Sequence, residues 1–223
     1  MPPVLLRPSI LVALLCAAVA ALSGCAPSSA GGAEASAPAA GALPEPQQIE
    51  TAIFAAGCFW CVEQAFDGVE GVRATTSGYT GGTVVNPSYR QVSAGSTGHY
   101  EAVRVRFDPS VVSYAELLDV FWHNVDPTDA RGQFCDKGPS YLGAIFYRDE
   151  NQRQLAEASK AALVADPQAP SPIVTEILRA GPFYEAEDYH QDYYRKNPLR
   201  YRYYKTACGR AARLEELWGP KAG

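Results

Sequence analysis

The sequence predicts an α+β domain in which helices pack on a mixed sheet. Three observations carry that reading. Strand-length runs, apolar or alternating, recur at residues 51–56, 99–107, 143–147 and 173–178. Helical patterns stand at 58–66, 113–125 and 150–165. The two kinds of element interleave along the chain, as they do where helices cover a sheet. With 223 residues, 47% of them hydrophobic, the chain is large enough for one globular domain with a real core and some appendages.

The first 24 residues stand outside that domain. Arg7 precedes an apolar run of thirteen residues, 10–22, shorter than the roughly 20 an ordinary spanning helix needs and suited to a secretory signal. The run ends in Leu22-Ser23-Gly24-Cys25, which resembles the bacterial lipobox. The resemblance implies that residues 1–24 are a lipoprotein signal peptide. Cys25 would then carry a diacylglyceryl group as the first residue of an exported, membrane-anchored lipoprotein of the periplasm or cell envelope. Residues 25–48 are Ala, Ser, Gly and Pro with two glutamates and almost no large apolar side chain. They cannot bury enough surface to fold and read as a flexible tether. The folded domain is expected at 49–223, with no internal repeat and no second linker.

Within it, residues 51–56 read as a buried strand ending at Gly57, and 58–66 as a helix closed by Gly68. Along 99–107 the period of two puts Glu101, Val103, Val105 and Phe107 on one face. Tyr100, Ala102, Arg104 and Arg106 take the other, so a carboxylate shares an apolar face. Ser113 and Glu116 form a capping box before Tyr114, Leu117, Leu118, Phe121, Trp122 and Val125, a helical stripe that ends ahead of Pro127.

The formal charge of −5 gives no global electrostatic reason to bind nucleic acid or an anionic membrane face. Removing the leader takes away only Arg7, leaving 18 basic against 24 acidic residues. The tail interleaves aromatics and cations at 193–196 and 200–205, as single-strand nucleic-acid binders do. On an exported acidic chain these residues read instead as an aromatic, charged wrap around a catalytic face, and no nucleic-acid partner is expected.

Cys16 leaves with the leader and Cys25 is committed to lipid, so Cys58, Cys61, Cys135 and Cys208 remain for chemistry. An oxidising compartment permits structural disulfides, although a core of this size does not need them. Cys58 is expected in the first turn of a helix, where unpaired N–H groups and the helix dipole favour the thiolate. Cys61 stands three residues on, on the same face. The C-x-x-C alone fits a redox pair, half a zinc site or two core cysteines. Zinc needs further ligands, and Cys135 and Cys208 are isolated in sequence from each other and from His99, His123 and His190. None of the histidines is needed as a general base. A strand, a C-x-x-C and a helix also describe the corner of a thiol-disulfide oxidoreductase.

A set of ordered motifs goes further. Gly57-Cys58-Phe59-Trp60 with Val62-Glu63 is followed by Ser77-Gly78-Tyr79-Thr80-Gly81-Gly82 and Asn86-Pro87-Ser88-Tyr89. Then come Gly98-His99-Tyr100-Glu101-Ala102-Val103 and Cys135-Asp136, with Tyr141 five residues beyond Asp136. Over residues 50–200 the chain resembles the A-type peptide methionine sulfoxide reductases.

The resemblance implies a ferredoxin-like core and a C-terminal tail wrapping the active site. It implies that Cys58 attacks the sulfur of methionine S-sulfoxide, free or in proteins, and becomes a sulfenic acid. Glu101, whose apolar strand face suits an elevated pKa, becomes the acid toward the sulfoxide oxygen. Tyr89 and Tyr141 hold that oxygen, Phe59 and Trp60 wall the methyl group, and Asp136 positions the site. A second thiol must then form a disulfide. Cys61 is nearest, Cys208 belongs to the tail from which family members commonly draw a resolving cysteine, and Cys135 neighbours Asp136. The tail departs from the family's common Gly-Tyr-Cys after Asn-Pro, having Arg200-Tyr201-Arg202-Tyr203-Tyr204 there, so all three stay open. No metal, flavin or nicotinamide is implied. Electrons would come from thioredoxin or a thioredoxin-like protein, and the chain is read as a monomer.

Overall fold

The computed structural model describes residues 48–220, so the leader, Cys25 and all but the last residue of the expected tether lie outside the described residues. The first element, β1 (Glu50–Ala56), lies inside the sheet and is buried from Ala52 onward, as its apolar run requires. It leads into α1 (Phe59–Asp67), β2 (Val72–Thr80), the short α2 (Tyr89–Ser93), β3 (Tyr100–Phe107) and α3 (Tyr114–Trp122). A small hairpin of β4 (Gly132–Gln133) and β5 (Asp136–Lys137) follows, then β6 (Gly143–Tyr147), α4 (Glu150–Ala165), β7 (Glu176–Arg179) and β8 (Tyr184–Glu185). Three helices close the chain: α5 (Tyr193–Lys196), α6 (Pro198–Ala207) and α7 (Arg210–Trp218).

The main sheet has the order β7-β6-β1-β3-β2-β8. Every neighbouring pair is antiparallel except β6 and β7, so the sheet is mixed. Its centre, β6-β1-β3-β2, is visited in the chain order β1-α1-β2-β3-α3-β6. That is the ferredoxin-like βαββαβ unit the family resemblance implied.

The period-two reading of β3 holds. Val103, Val105 and Phe107 join Phe54, Phe66, Leu117, Leu118 and Phe121 in the main core beneath α1 and α3. Phe54 anchors it, its ring stacked on Phe66 at 4.8 Å and on Phe121 at 5.3 Å; such pairs add about 0.5–1.5 kcal/mol beyond the area they bury. On the other face a smaller cluster of Ile53, Ala55, Ala102, Ala144 and Phe146 is covered by Tyr100, Leu178 and Phe183. The Ser113–Glu116 capping box forms as read, and α4 and β6 have the bounds the sequence suggested. The last expected strand starts later than its apolar run. Ahead of it, the Val174 N–H is spent on the Pro127 carbonyl at 2.7 Å, which takes that stretch away from the sheet ladder.

The tail returns over the C-terminal end of β1. Leu214 is buried, Trp218 donates its indole N–H to the Val125 carbonyl at 3.3 Å, and Arg213 pairs with Asp126 at 2.8 Å. These contacts anchor α7, and Tyr201 of α6 donates its hydroxyl to Gln64 of α1 at 2.7 Å.

Candidate active site

At the end of β1 the chain has to turn sharply. Gly57 takes φ +79°, and a Cβ there would stand 2.5 Å from the Cβ of Gln133, so glycine alone fits the corner. Cys58 is the N-cap of α1, its carbonyl accepting from the N–H groups of Cys61 and Val62 at 3.1 and 3.4 Å. It therefore precedes the helix, one residue earlier than the first-turn position read from the sequence.

Glu101, near the start of β3, reaches the same corner. The Phe59 N–H donates to its Oε2 at 3.1 Å, and the residue is only 2% exposed. Burial pushes its pKa up to about 8, with Asp136 adding to the rise and the Phe59 N–H opposing it. At neutral pH the carboxyl is an acid with a proton to give.

Cys58, Phe59, Trp60, Tyr89, Glu101, Asp136, Tyr141 and Tyr204 line one cavity of about 60 Å³. That is about twice the space a water molecule takes in the liquid, room for a small head group. All but Tyr204 were singled out in the sequence. Tyr89 opens α2, where its N–H donates to Glu187 at 2.9 Å, and Glu187 also takes the Tyr79 hydroxyl at 2.8 Å. Tyr141 closes a 3₁₀ turn at Pro139–Tyr141. Burial pushes both tyrosines up, so their hydroxyls, which interact with each other, stay protonated.

Phe59 is buried, and Trp60 lies against the tail. The indole stacks on Tyr193 with centroids 3.7 Å apart and donates to His190 Nδ1 at 3.1 Å. Burial pulls the His190 pKa down, so the ring is neutral, and because Nδ1 accepts, its proton is assigned to Nε2.

Tyr201 and Tyr204, on one face of α6, touch Cys61 and Cys58 respectively, and Tyr204 donates its hydroxyl to Asp136. Arg210 is buried, donating to the Ala56 carbonyl at 3.2 Å and lying over the Phe134 ring at 4.3 Å. These surroundings set the charge on the sulfurs. Burial, the Cys61 thiol and Glu101 raise Cys58 well above the ordinary thiol range. Cys61 is lowered to about 6, first by its contact with Cys58 and then, against the pull of burial, by Arg210. The sequence reading of a depressed Cys58 is thus corrected. The helix terminus favours an anion there, but burial beside Glu101 and a second sulfur outweighs it. The two thiols titrate as a pair, with burial opposing an anion on Cys58 and contact with Cys58 and Arg210 favouring one on Cys61.

A family model described as "Peptide methionine sulfoxide reductase" matches residues 50–222, the whole folded domain. The chain belongs to the peptide methionine sulfoxide reductase family. It is 52% identical over 175 residues to the peptide methionine sulfoxide reductase MsrA of Bacillus subtilis, covering 78% of this chain and 99% of that one. The MsrA of Listeria innocua is 52% identical over 172 residues, covering 77% and 97%. Among solved structures, methionine sulfoxide reductase A of Corynebacterium diphtheriae matches with TM-score 0.61 and 37% identity, over 70% of this chain and 78% of that one. Reduced Mxr1 of Saccharomyces cerevisiae gives TM-score 0.63 and 30% identity, over 69% and 88%. The chain is accordingly an oxidoreductase with methionine sulfoxide reductase A activity.

In this family member the four remaining thiols fall into two pairs. Cys58 and Cys61 are free and buried, while Cys135 and Cys208 form a disulfide with Cα atoms 4.9 Å apart. Their isolation in sequence misled, because α6 carries Cys208 back across 73 residues to the β4–β5 hairpin. Cys208, bonded to Cys135, does not line the cavity around Cys58. The zinc reading loses force with this pairing. Among the described residues the one cluster of possible ligands is Cys135, Asp136 and Cys208, and two of those donors are bonded to each other. Sequence reasoning missed Tyr204, Tyr201, Glu187 and Arg210. The i, i+3, i+7 spacing of Tyr201, Tyr204 and Cys208 was a signal for one shared helical face; nothing in the sequence marked Arg210.

Proposed function

We propose that this chain reduces the S epimer of methionine sulfoxide, free and in oxidised proteins, by attack of Cys58 on the sulfoxide sulfur. The observation that carries the reading is the buried, protonated Glu101 beside Cys58 in a cavity that also holds Tyr89 and Tyr141. Glu101 and the two hydroxyls supply donors for the oxygen, and Phe59 and Trp60 supply an apolar wall for the methyl group, with Asp136 holding Tyr204 in place. The oxygen passes to Cys58, giving methionine and a sulfenic acid. Cys61, the free thiol in contact with Cys58, then condenses with it, releasing water and leaving a Cys58–Cys61 disulfide. Both electrons come from thiols, so no metal, flavin or nicotinamide is required, and a thioredoxin-like protein restores the dithiol.

The test is to give the reduced protein a peptide containing one sulfoxide epimer, then the other, and to map disulfides by mass spectrometry. Methionine and a Cys58–Cys61 link should appear with the S epimer alone. Methionine formed without any Cys58-linked or Cys58-oxidised species would overturn the assignment.

The lipobox-like Leu22-Ser23-Gly24-Cys25 supports a second part of the proposal, that the enzyme works outside the cytoplasm as a lipoprotein, repairing exported proteins. Expressed in a bacterial host, the chain should fractionate with membranes and carry a diacylglyceryl mass on Cys25. Cys25→Ser should lose both. Membrane association that survives Cys25→Ser would refute the anchor.

A further inference from the structure

The face of the sheet away from α1 and α3 carries a second cavity that the chemistry at Cys58 does not use. Its volume is about 570 Å³, within the range of small-molecule sites. The alternation along β3 put Tyr100, Ala102, Arg104 and Arg106 on one side. Ala102 packs in the small cluster on this face, and the two arginines beyond it line the cavity. On β1, Thr51 and Ile53 stand opposite Arg106 and Arg104. Continuing the β1–β6 register by two residues sets Arg148 beside Thr51 from the other side. Arg106 and Arg148 therefore flank Thr51 on neighbouring strands, roughly 10 Å apart at the usual strand spacing. Two long side chains at that separation can meet on one ligand.

The charge around this cavity is one-sided. Among the described residues no carboxylate lines it. Glu185 of β8 pairs with Arg104 Nη2 at 2.5 Å, and the Arg104 guanidinium lies over the Phe183 ring at 5.0 Å. Arg104 Nε is buried and has no hydrogen-bond partner, a cost that a bound oxyanion would remove. Arg106 and Arg148 are exposed and make no ion pair among the described residues. Asp149, next to Arg148, is turned to the N-cap of α4, where it accepts from the Gln152 N–H at 2.8 Å. Three guanidiniums against one carboxylate leave two positive charges unbalanced. A phosphate monoester carries about two negative charges at neutral pH, and the guanidinium fork matches phosphate oxygens in pairs. A lone carboxylate ligand would balance only one of the two. Ile53 and Phe183 add apolar surface for the group that bears the phosphate.

We propose that this cavity binds a phosphate group, borne by a small soluble ester or by a lipid headgroup, with Arg106 and Arg148 clasping its oxygens and Arg104 completing the set. The site is separate from the catalytic one. Thr51 lies near the start of β1 and Cys58 just past its other end, roughly 20 Å away along the strand. Occupancy and turnover can therefore be measured independently.

Phenyl phosphate is the probe for a soluble source. Titrated calorimetrically into the full chain, it should bind saturably, one per chain. Arg106→Gln combined with Arg148→Gln should weaken that binding about tenfold or more. Both side chains are exposed and neither lines the cavity at Cys58, so the double variant should keep the parent's unfolding temperature and its rate of methionine sulfoxide reduction. Vesicles of phosphatidylcholine, with and without phosphatidylglycerol, test the lipid source. Binding that needs phosphatidylglycerol and is lost in the double variant would assign the headgroup, and phenyl phosphate binding without it would assign a soluble ester. No saturable binding of phenyl phosphate at millimolar concentration together with no dependence on phosphatidylglycerol would overturn the site. Binding that the double variant leaves unchanged would overturn it equally.

Discussion

Cys58→Ser is expected to lower methionine sulfoxide reduction by roughly 10⁴-fold or more while leaving the fold intact. The loss is large because the reaction needs an atom that attacks sulfur and then carries the transferred oxygen. A serine hydroxyl in a buried corner does neither, and Cys61 does not line the cavity that holds Glu101, Tyr89 and Tyr141. The fold should survive because Cys58 is the N-cap of α1 and makes no side-chain cap hydrogen bond. Serine is a preferred N-cap, so the variant should be as stable as the parent or slightly more so. Activity is followed as the mass change of a sulfoxide peptide, stability by thermal unfolding. Turnover above about 1% of the parent in a folded Cys58→Ser protein would remove Cys58 as the nucleophile.

Glu101→Gln should lower kcat/KM by roughly 10²- to 10³-fold, the usual worth of a positioned general acid. Glutamine can still accept the Phe59 N–H and fills the same space, so the loss reports the missing proton. The pH dependence separates this role from a structural one. With its pKa near 8, Glu101 is protonated below that pH, so the parent's rate should fall as pH rises through about 8. Glu101→Gln should lack that limb. Stability gives an independent sign. The folded pKa lies above the unfolded value of about 4.3, so the native state holds the proton more tightly. That contribution is complete below the unfolded value and is lost as pH rises through 8. Each unit of displacement is worth ~1.4 kcal/mol, so above pH 8 the parent carries a penalty of a few kcal/mol that glutamine escapes. Glu101→Gln should therefore gain unfolding free energy over the parent between pH 6 and 9. A parallel pair of stability curves would show that Glu101 is already ionised in the folded protein.

Several parts of this molecule were legible before any coordinates. Alternation along 99–107 placed Glu101 on the apolar face, because side-chain direction in a strand has a period of two and burial follows it. The capping box at Ser113 and Glu116 fixed the start of α3 for a similarly local reason. The glycine before Cys58 marked the corner that delivers the nucleophile. Other features depended on distant partners. The last strand was displaced because one N–H found a carbonyl in another loop. Tyr204 entered the cavity only because α6 folds back over α1, and sequence spacing alone does not say what a helical face will meet.

The sequence by itself determined the place of four strands and three helices and, through the family resemblance, every cavity residue but Tyr204. Local periodicity, capping and the ordered motifs all act within a few residues of the groups they place. Only the tertiary structure decided how the sulfurs pair and where their charge lies. Pairing joins positions 73 residues apart in the chain; burial raises Cys58, while contact with Cys58 and then Arg210 lower Cys61 against burial. Desolvation is a property of everything packed around an atom, and no window of sequence contains it.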